Sequence, residues 1–483
     1  MHSSDIGLVG LAVMGENLVL NMESHGFRVS VYNRSTEKVE RFINGRAAGK
    51  NITGTYGLEE LVKSLDKPRK VMMLVKAGKP VDDLINSLIP LLEEGDIIID
   101  GGNSYYKDTI RRTELVEKQK LLYIGTGVSG GEEGALNGPS IMPGGSSEAW
   151  PAVKDIFRAI AARAGNDEPC AEWLGPGGAG HFVKMVHNGI EYGDMQVLAE
   201  AYFLMKNLLF MKHSEMKEVF EEWNRGELES YLVEISADIM GYNDEDGFPL
   251  LEKILDSAGQ KGTGKWTGIS ALENGSPLTL ISEAVYSRFL SSQKELRQAA
   301  SEKINGPKAR MPADPPRFIK DLKDAVYGSK IISYTQGFDL LKEADNTHGW
   351  NLDFGNIAML WRGGCIIRSV FLDNIKEAYS ENSELENLAL NDYFRKKLED
   401  AQEGWRRVIA LAVVNGIPVP AISSALSYYD GLRHANLPAN LIQAQRDYFG
   451  AHTYERTDKP RGKFFHTNWT GKGGDTSSGT YNA

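Results

Sequence analysis

The sequence predicts a doubly wound α/β sheet at its amino end, then a large all-α region, then a short carboxy-terminal tail. Three observations carry this reading. Short apolar runs alternate with helix-like segments through the first third of the chain. The alternation stops at the glycine-rich run Gly175-Pro176-Gly177-Gly178-Ala179-Gly180. Helix-like stretches then dominate to about residue 450. The expected divisions are 1–178, 179–450 and 451–483.

In order, Ile6–Val9 reads as the first strand. Gly10-Leu11-Ala12-Val13-Met14-Gly15 follows and opens a helix through Asn17–Glu23. Arg28–Tyr32 is the second apolar run, ending at Asn33-Arg34-Ser35-Thr36. Val71–Val75 and Ile97–Ile99 come next, each after a helix-like segment, and Leu122–Gly127 is a further strand. Strands alternating with helices imply a parallel sheet.

Composition narrows the function. The 483 residues carry 54 Lys and Arg against 65 Asp and Glu, a net charge of -11, with no long basic block. That argues against a nucleic-acid or anionic-membrane surface. Two cysteines, Cys170 and Cys365, exclude a disulfide framework and fit a reducing compartment. Apolar runs such as Val408–Val414 are too short to span a bilayer. Neither end reads as an address: the start lacks a basic, apolar leader, and Tyr481-Asn482-Ala483 is no prenylation or peroxisomal signal. The expectation is a cytoplasmic protein.

The glycines point to a ligand. Gly10 permits the tight turn, Ala12 lets the backbone approach a pyrophosphate, and Gly15 permits close helix–strand packing. The helix N-terminus offers free N–H groups to the anion. This strand–turn–helix context predicts a Rossmann-like dinucleotide site. An NAD site would place a carboxylate at the end of the second strand. Asn33-Arg34-Ser35-Thr36 offers a guanidinium and two hydroxyls instead, which suits the 2′-phosphate of NADP. Three polar glycine loops follow later strands and form a floor at one sheet edge: Val75-Lys76-Ala77-Gly78, Asp100-Gly101-Gly102-Asn103-Ser104, and Val128-Ser129-Gly130-Gly131-Glu132-Glu133-Gly134.

Candidate chemistry lies on the helix after the glycine run. Val183, Val186 and Ile190 form its core face. Lys184, His187, Asn188 and Glu191 share another side, within an arc of roughly 100°. Lys184 and Glu191 stand about 10 Å apart along the axis, too far for an i,i+4 ion pair but suited to bracketing a ligand a few carbons long. A solvated polar face is the bland alternative. His and Asn are indifferent helix formers, and Gly189 and Gly193 lower helical stability, which weighs against it.

Downstream, Gly259-Gln260-Lys261-Gly262-Thr263-Gly264-Lys265-Trp266 lacks P-loop spacing, yet Lys261, Thr263 and backbone N–H groups suit a phosphate monoester. Arg288, Arg446 and His452, each alone, read as surface or packing residues. Trp361-Arg362-Gly363-Gly364-Cys365-Ile366-Ile367-Arg368 reads as close helix packing, with Cys365 in the core. No motif for a metal is present.

Together these motifs, with Gln445–His452 and Asn468-Trp469-Thr470-Gly471, resemble the 6-phosphogluconate dehydrogenase family over nearly the whole chain. The resemblance implies NADP-dependent oxidative decarboxylation of 6-phospho-D-gluconate to D-ribulose 5-phosphate in the pentose phosphate pathway. It implies that Gly10, Leu11, Ala12, Val13, Met14, Gly15, Asn33, Arg34, Ser35, Val75, Lys76, Ala77 and Asn103 bind NADP. Lys184 would be the general base and Glu191 the general acid. Asn103, Ser129, Gly130, Gly131, His187, Asn188, Tyr192, Lys261, Thr263 and Arg288 would contact substrate. Arg446 and His452 would complete the partner's site in a homodimer, reached by a tail whose Gly/Ser/Thr-rich end, Gly471–Ala483, builds no core alone. Two other readings remain open. Another β-hydroxyacid dehydrogenase with a phosphate-free substrate is opposed by Lys261, Arg288 and Arg446. An inactive NADPH-binding protein is opposed by Lys184 and Glu191.

Overall fold

A seven-stranded sheet of order β3-β2-β1-β4-β5-β6-β7 organises the amino-terminal part. Its strands are β1 (Ile6–Val9), β2 (Val29–Tyr32), β3 (Ile52–Thr55), β4 (Lys70–Met73), β5 (Ile97–Asp100), β6 (Leu122–Val128) and β7 (Ile141–Gly145). All pairings are parallel except β6–β7. The computed structural model describes residues 3–473 and 477–478.

Helices cover both faces of the sheet. α1 (Val13–Ser24), α2 (Thr36–Asn44), α3 (Leu58–Lys63), α4 (Lys79–Leu88), α5 (Tyr106–Glu117), α6 (Gly131–Asn137) and α7 (Trp150–Ile160) follow in chain order. Leu18, Val19, Met22, Phe42, Ile156 and Phe157 bury one sheet face under α1, α2 and α7. Leu61, Val62, Val81, Ile85, Leu88 and Val116 bury the other under α3, α4 and α5. Strands buried on both faces read as continuous apolar runs, which is why β1, β4 and β5 stand out in the sequence.

The doubly wound expectation therefore holds, with two additions at the sheet edges. β3 reads Ile-Thr-Gly-Thr and buries only its two ends, so no apolar run marks it. β7 reads Ile-Met-Pro-Gly-Gly, a composition that resembles a loop, and its proline is tolerated because β7 is an edge strand.

The remaining sequence is helical: α8 (Ala179–Asn207), α9 (His213–Trp223), α10 (Tyr231–Gly241), α11 (Thr263–Glu273), α12 (Thr279–Ser291), α13 (Lys294–Lys303), α14 (Pro315–His348), α15 (Phe354–Leu360), α16 (Phe371–Glu381), α17 (Asp392–Val414), α18 (Pro420–Leu432) and α19 (Ala439–Gly450). Local chemistry sets the ends of the long α14: the Asp314 carboxylate accepts the Arg317 N–H, prolines occupy the first turn, and Gly349 closes the helix at φ 65°. α8 starts directly against the sheet. A Cβ on Gly180 would lie 2.4 Å from the Met142 carbonyl oxygen and 2.5 Å from that of Gly125, so only glycine admits this approach. That contact delivers the polar residues of α8 to the carboxyl ends of the strands.

The chain forms two compact units, divided between Leu426 and Ser427. The second contains α19 and a small antiparallel pairing of Tyr454–Glu455 with Phe464–Phe465. Its centre is the fully buried Asp447 carboxylate. Asp447 accepts from Thr453 N and Thr467 N at 3.0 Å, His466 Nδ1 at 2.9 Å and Trp469 Nε1 at 2.8 Å. Desolvation alone would raise its pKa, but these donors hold it below the usual carboxylate range. The predicted tail from residue 451 is thus ordered around Asp447 as far as it is described; its last residues, 479–483, lie outside the described residues. No helix among the described residues is long and apolar enough to cross a membrane.

Candidate active site

Two glycines shape the turn after β1. Gly10 has φ 112°, and a Cβ there would lie 2.4 Å from the Leu74 carbonyl oxygen. A Cβ on Gly15 would lie 2.0 Å from the carbonyl oxygen of Gly10. Ala12 caps α1 without a side-chain hydrogen bond, so the first-turn N–H groups remain open to an anion. Asn33 has a structural task as well: its Oδ1 accepts from Leu11 N at 3.0 Å and its Nδ2 donates to the Ser35 carbonyl at 3.1 Å. It clamps the glycine turn to the end of β2. Arg34 is exposed and forms no ion pair among the described residues. Lys76, after β4, and Asn103, after β5, are also exposed at the same sheet edge. The close-approach glycines, the open helix N-terminus and the unpaired Arg34 fit a dinucleotide that carries a 2′-phosphate.

α8 carries the candidate reactive groups. Lys184, His187 and Asn188 are buried, at 5%, 0% and 8% exposure, which excludes the solvated-face alternative. Lys184 Nζ donates to Ser129 Oγ at 2.9 Å and lies 3.3 Å from His187 Nδ1. His187 Nε2 lies 3.4 Å from Ser129 Oγ, and its Nδ1 lies 3.0 Å from Asn188 Oδ1 and 3.9 Å from Glu191 Oε2. Lysine, histidine and glutamate thus stand in one chain of contacts.

Burial dominates their titration. Desolvation pushes the Lys184 pKa down to about 8, with Glu191 pulling in the opposite direction. Desolvation and the neighbouring Lys184 hold His187 well below its ordinary value, so it is neutral near pH 7. Desolvation raises Glu191, while Lys184, Arg288 and Lys261 oppose the rise. A lysine whose pKa burial lowers beside a glutamate whose pKa burial raises is the direction of shift a base–acid pair requires.

Next along α8, Tyr192 packs against the start of α11, where a Cβ on Gly264 would lie 2.5 Å from its ring. The Arg288 guanidinium lies over the Tyr192 ring, 3.5 Å from its centroid, and donates to the Gly259 carbonyl at 3.2 Å. Lys261 is exposed, and Thr263 begins α11. An unpaired ammonium, a stacked guanidinium and a helix N-terminus together suit a phosphate group.

Of the residues expected to form a site, Lys184, Glu191, Ser129, His187 and Asn188 are brought into contact, with Tyr192, Arg288 and Lys261 beside them. Gly130, in the left-handed region at φ 110°, and Gly131 begin α6. Arg446 and His452 belong to the second unit. There Arg446 Nη1 donates to Gln443 Oε1 at 3.0 Å, and His452 Nδ1 lies 2.9 Å from Ser478 Oγ.

The segment from Trp361 to Cys365 packs closely through its small residues as expected, a Cβ on Gly364 lying 2.3 Å from the Gly138 carbonyl oxygen, but it is not helical. It is a turn between α15 and α16 that supports the site from behind. The Trp361 ring meets His187 edge-on at 5.7 Å, and the Gly364 carbonyl accepts from Ser140 N at 2.8 Å. Cys365 is buried as expected. The sequence reading also missed a buried pair behind α8, Lys330 Nζ to Asp194 Oδ2 at 2.7 Å. A charged residue in the middle of an otherwise uncharged stretch of α14 was the available signal.

Two family profiles cover the chain. The NAD binding domain of 6-phosphogluconate dehydrogenase matches residues 5–175, and the 6-phosphogluconate dehydrogenase C-terminal domain matches residues 180–469. The chain is 59% identical over 484 residues to the decarboxylating 6-phosphogluconate dehydrogenase of Mus musculus, covering 100% of both. It is 58% identical to that of Treponema pallidum (strain Nichols), covering 99% of both. Among solved structures, Plasmodium falciparum 6-phosphogluconate dehydrogenase, described with its cofactor NADP+ and its substrate 6-phosphogluconate, superimposes with a TM-score of 0.92 at 46% identity, covering 96% of this chain and 100% of that one. This chain belongs to the 6-phosphogluconate dehydrogenase family and is an NADP-dependent, decarboxylating oxidoreductase.

Proposed function

We propose that Lys184 is the base and Glu191 the acid in the oxidative decarboxylation of 6-phospho-D-gluconate to D-ribulose 5-phosphate and CO2, a step of the pentose phosphate pathway. The observation that carries this assignment is the buried Lys184, pushed down to about 8, on the same helix as a half-buried Glu191 pushed up.

NADP, held by the Gly10–Gly15 turn, Arg34, Ser35 and the loops bearing Lys76 and Asn103, supplies the hydride acceptor. Neutral Lys184, oriented by Ser129, removes the proton of the C3 hydroxyl as that carbon is oxidised. The C3 ketone then accepts the electrons released as the C1 carboxylate leaves. Protonated Lys184 stabilises the oxygen charge that develops. Glu191 delivers a proton to the enediol carbon that lost CO2, C2 of the substrate, which becomes C1 of ribulose 5-phosphate. Asn103, Ser129, Gly130, Gly131, His187, Asn188 and Tyr192 hold the sugar acid, and Lys261, Thr263 and Arg288 bind its phosphate.

Arg446 and His452 complete the site of a second copy in a homodimer. In support, the α11–α12 face exposes an apolar groove of about 420 Å³, lined by Ile269, Leu272, Val285, Tyr286 and Phe289, of the kind a second subunit covers. The organisation is a cofactor domain over 1–178, a substrate and dimerisation domain over 179–450 and a tail over 451–483. Both cysteines are free and buried, in keeping with a reducing compartment such as the cytoplasm.

The test is NADPH formation from 6-phosphogluconate, compared with gluconate and with NAD. Turnover with the phosphorylated acid and NADP is expected. Equal turnover with gluconate, or none dependent on phosphogluconate, overturns the reading.

A further inference from the structure

A fully buried guanidinium lies beneath the sheet edge, outside the catalytic cluster. Arg112 projects from α5 with 0% exposure. Its Nε and Nη2 grip both oxygens of Asp82, in the first turn of α4, at 2.9 and 3.1 Å. Nη2 also donates to the Gly78 carbonyl at 3.0 Å, closing the loop after β4. Nη1 reaches the other way, to Ser104 Oγ at 3.4 Å and Asp100 Oδ2 at 3.5 Å.

Asp100 in turn organises the loop after β5. Its Oδ1 accepts from Gly102 N at 3.1 Å, and its Oδ2 accepts from Ser104 Oγ at 2.6 Å and Tyr123 OH at 3.2 Å. The two loops also touch, for a Cβ on Gly102 would lie 3.3 Å from the Val75 carbonyl oxygen. Asn103 stands between Gly102 and Ser104, exposed, with no side-chain hydrogen bond among the described residues. Its neighbours alone set its position.

We propose that Arg112 is a positioning residue: without touching either ligand, it locks the Val75–Gly78 and Gly101–Ser104 loops to one another, so that the cofactor loop and the substrate-contacting Asn103 are set as one unit. This rests on the assignment of those loops to NADP and substrate given above. The planar five-donor fork explains the residue type. It serves a bidentate carboxylate, a carbonyl and a hydroxyl at once, which a lysine ammonium cannot do in one plane.

The experiment uses the full-length chain with Arg112→Lys and Ser104→Ala. Thermal unfolding, calorimetric binding of NADP alone and of 6-phosphogluconate alone, and steady-state rates are measured for each. In a folded R112K, both dissociation constants are expected to rise about tenfold, the size of one lost charge-assisted hydrogen bond. S104A cuts only the Asn103 side. It should lower kcat about tenfold and weaken 6-phosphogluconate binding more than NADP binding, because the cofactor keeps its contacts to the Lys76 loop and the glycine turn. Unchanged binding of either ligand to folded R112K, or full turnover of S104A, overturns the proposal. Should R112K fail to fold, S104A decides alone. Failure of the underlying assignment would look different: the unaltered chain would bind NADP and 6-phosphogluconate, yet Lys76→Ala and Asn103→Ala would change neither constant.

Discussion

Replacing Lys184 with methionine should abolish turnover and stabilise the fold at the same time. The side chain keeps its length, but the buried amine is gone. Burial lowers the lysine pKa from 10.5 to about 8, a gap worth about 3 kcal/mol. The sign follows from linkage. Because the folded pKa is depressed, the unfolded chain binds the proton more tightly, and the native state carries the full cost at every pH below 8. The cost is relieved between pH 8 and 10.5. Losing the Ser129 hydrogen bond returns about 1 kcal/mol, so a net gain of about 2 kcal/mol is expected at pH 7.

The same shift sets the catalytic loss. At pH 7 about one Lys184 in ten is neutral, against about one in three thousand for an unshifted lysine, roughly a 300-fold gain in competent base. Removing a general base costs about 10² to 10⁴ in kcat. Denaturant unfolding at pH 7 and at pH 10.5, with NADPH formation measured in parallel, checks both halves. The stability gain should shrink at the higher pH. A Lys184→Met protein that turns over normally, or that is clearly less stable at pH 7, refutes the account of a desolvated base.

Glu191→Gln keeps the shape of the acid but cannot deliver its proton, so kcat should fall about 100-fold or more while 6-phosphogluconate still binds, as equilibrium dialysis would show. Arg34→Ala should raise the KM for NADP about 10- to 100-fold and leave that for NAD nearly unchanged in initial-rate assays. Gly189→Ala should destabilise the chain by about 1–3 kcal/mol in chemical denaturation, because its Cβ would lie 2.7 Å from the Thr267 side chain on α11. Mixing inactive Lys184→Met chains with inactive Arg446→Ala chains should restore part of the activity if Arg446 serves a partner's site; co-refolded mixtures that stay inactive would speak against that exchange.

What was legible in the sequence is what depends on short spacing. The Gly10–Gly15 turn, the two-sided burial of β1, β4 and β5, and the polar face of α8 each arise within one or two elements, so their period or their glycines reveal them. Edge strands β3 and β7 lack that signal, since one is half polar and the other reads as a turn. Gly189 shows a subtler limit. Its composition reads as a weakened helix, but its cause lies on α11, where Thr267 fills the space a methyl group would need. Arg112 with Asp82, and Lys330 with Asp194, are joined only by the fold, and no local pattern couples residues 136 positions apart.

That distinction also resolves the charge balance. A net of -11 discourages an anionic ligand if every cation counts alike. They do not. Arg112, Lys330, Arg69 and Arg407 are each tied to a carboxylate, on Asp82, Asp194, Asp96 and Asp321. Among the described residues, Arg34, Lys76, Lys184, Lys261 and Arg288 form no ion pair. Lys184 is held by the neutral Ser129 and His187, and Arg288 by the Tyr192 ring and a backbone carbonyl. Neutral partners orient a cation without cancelling its charge, so its field remains for a phosphate or a carboxylate. Lys184 and Arg288, packed into the protein against neutral partners rather than carboxylates, and not the number of cations, make this a candidate site for anions.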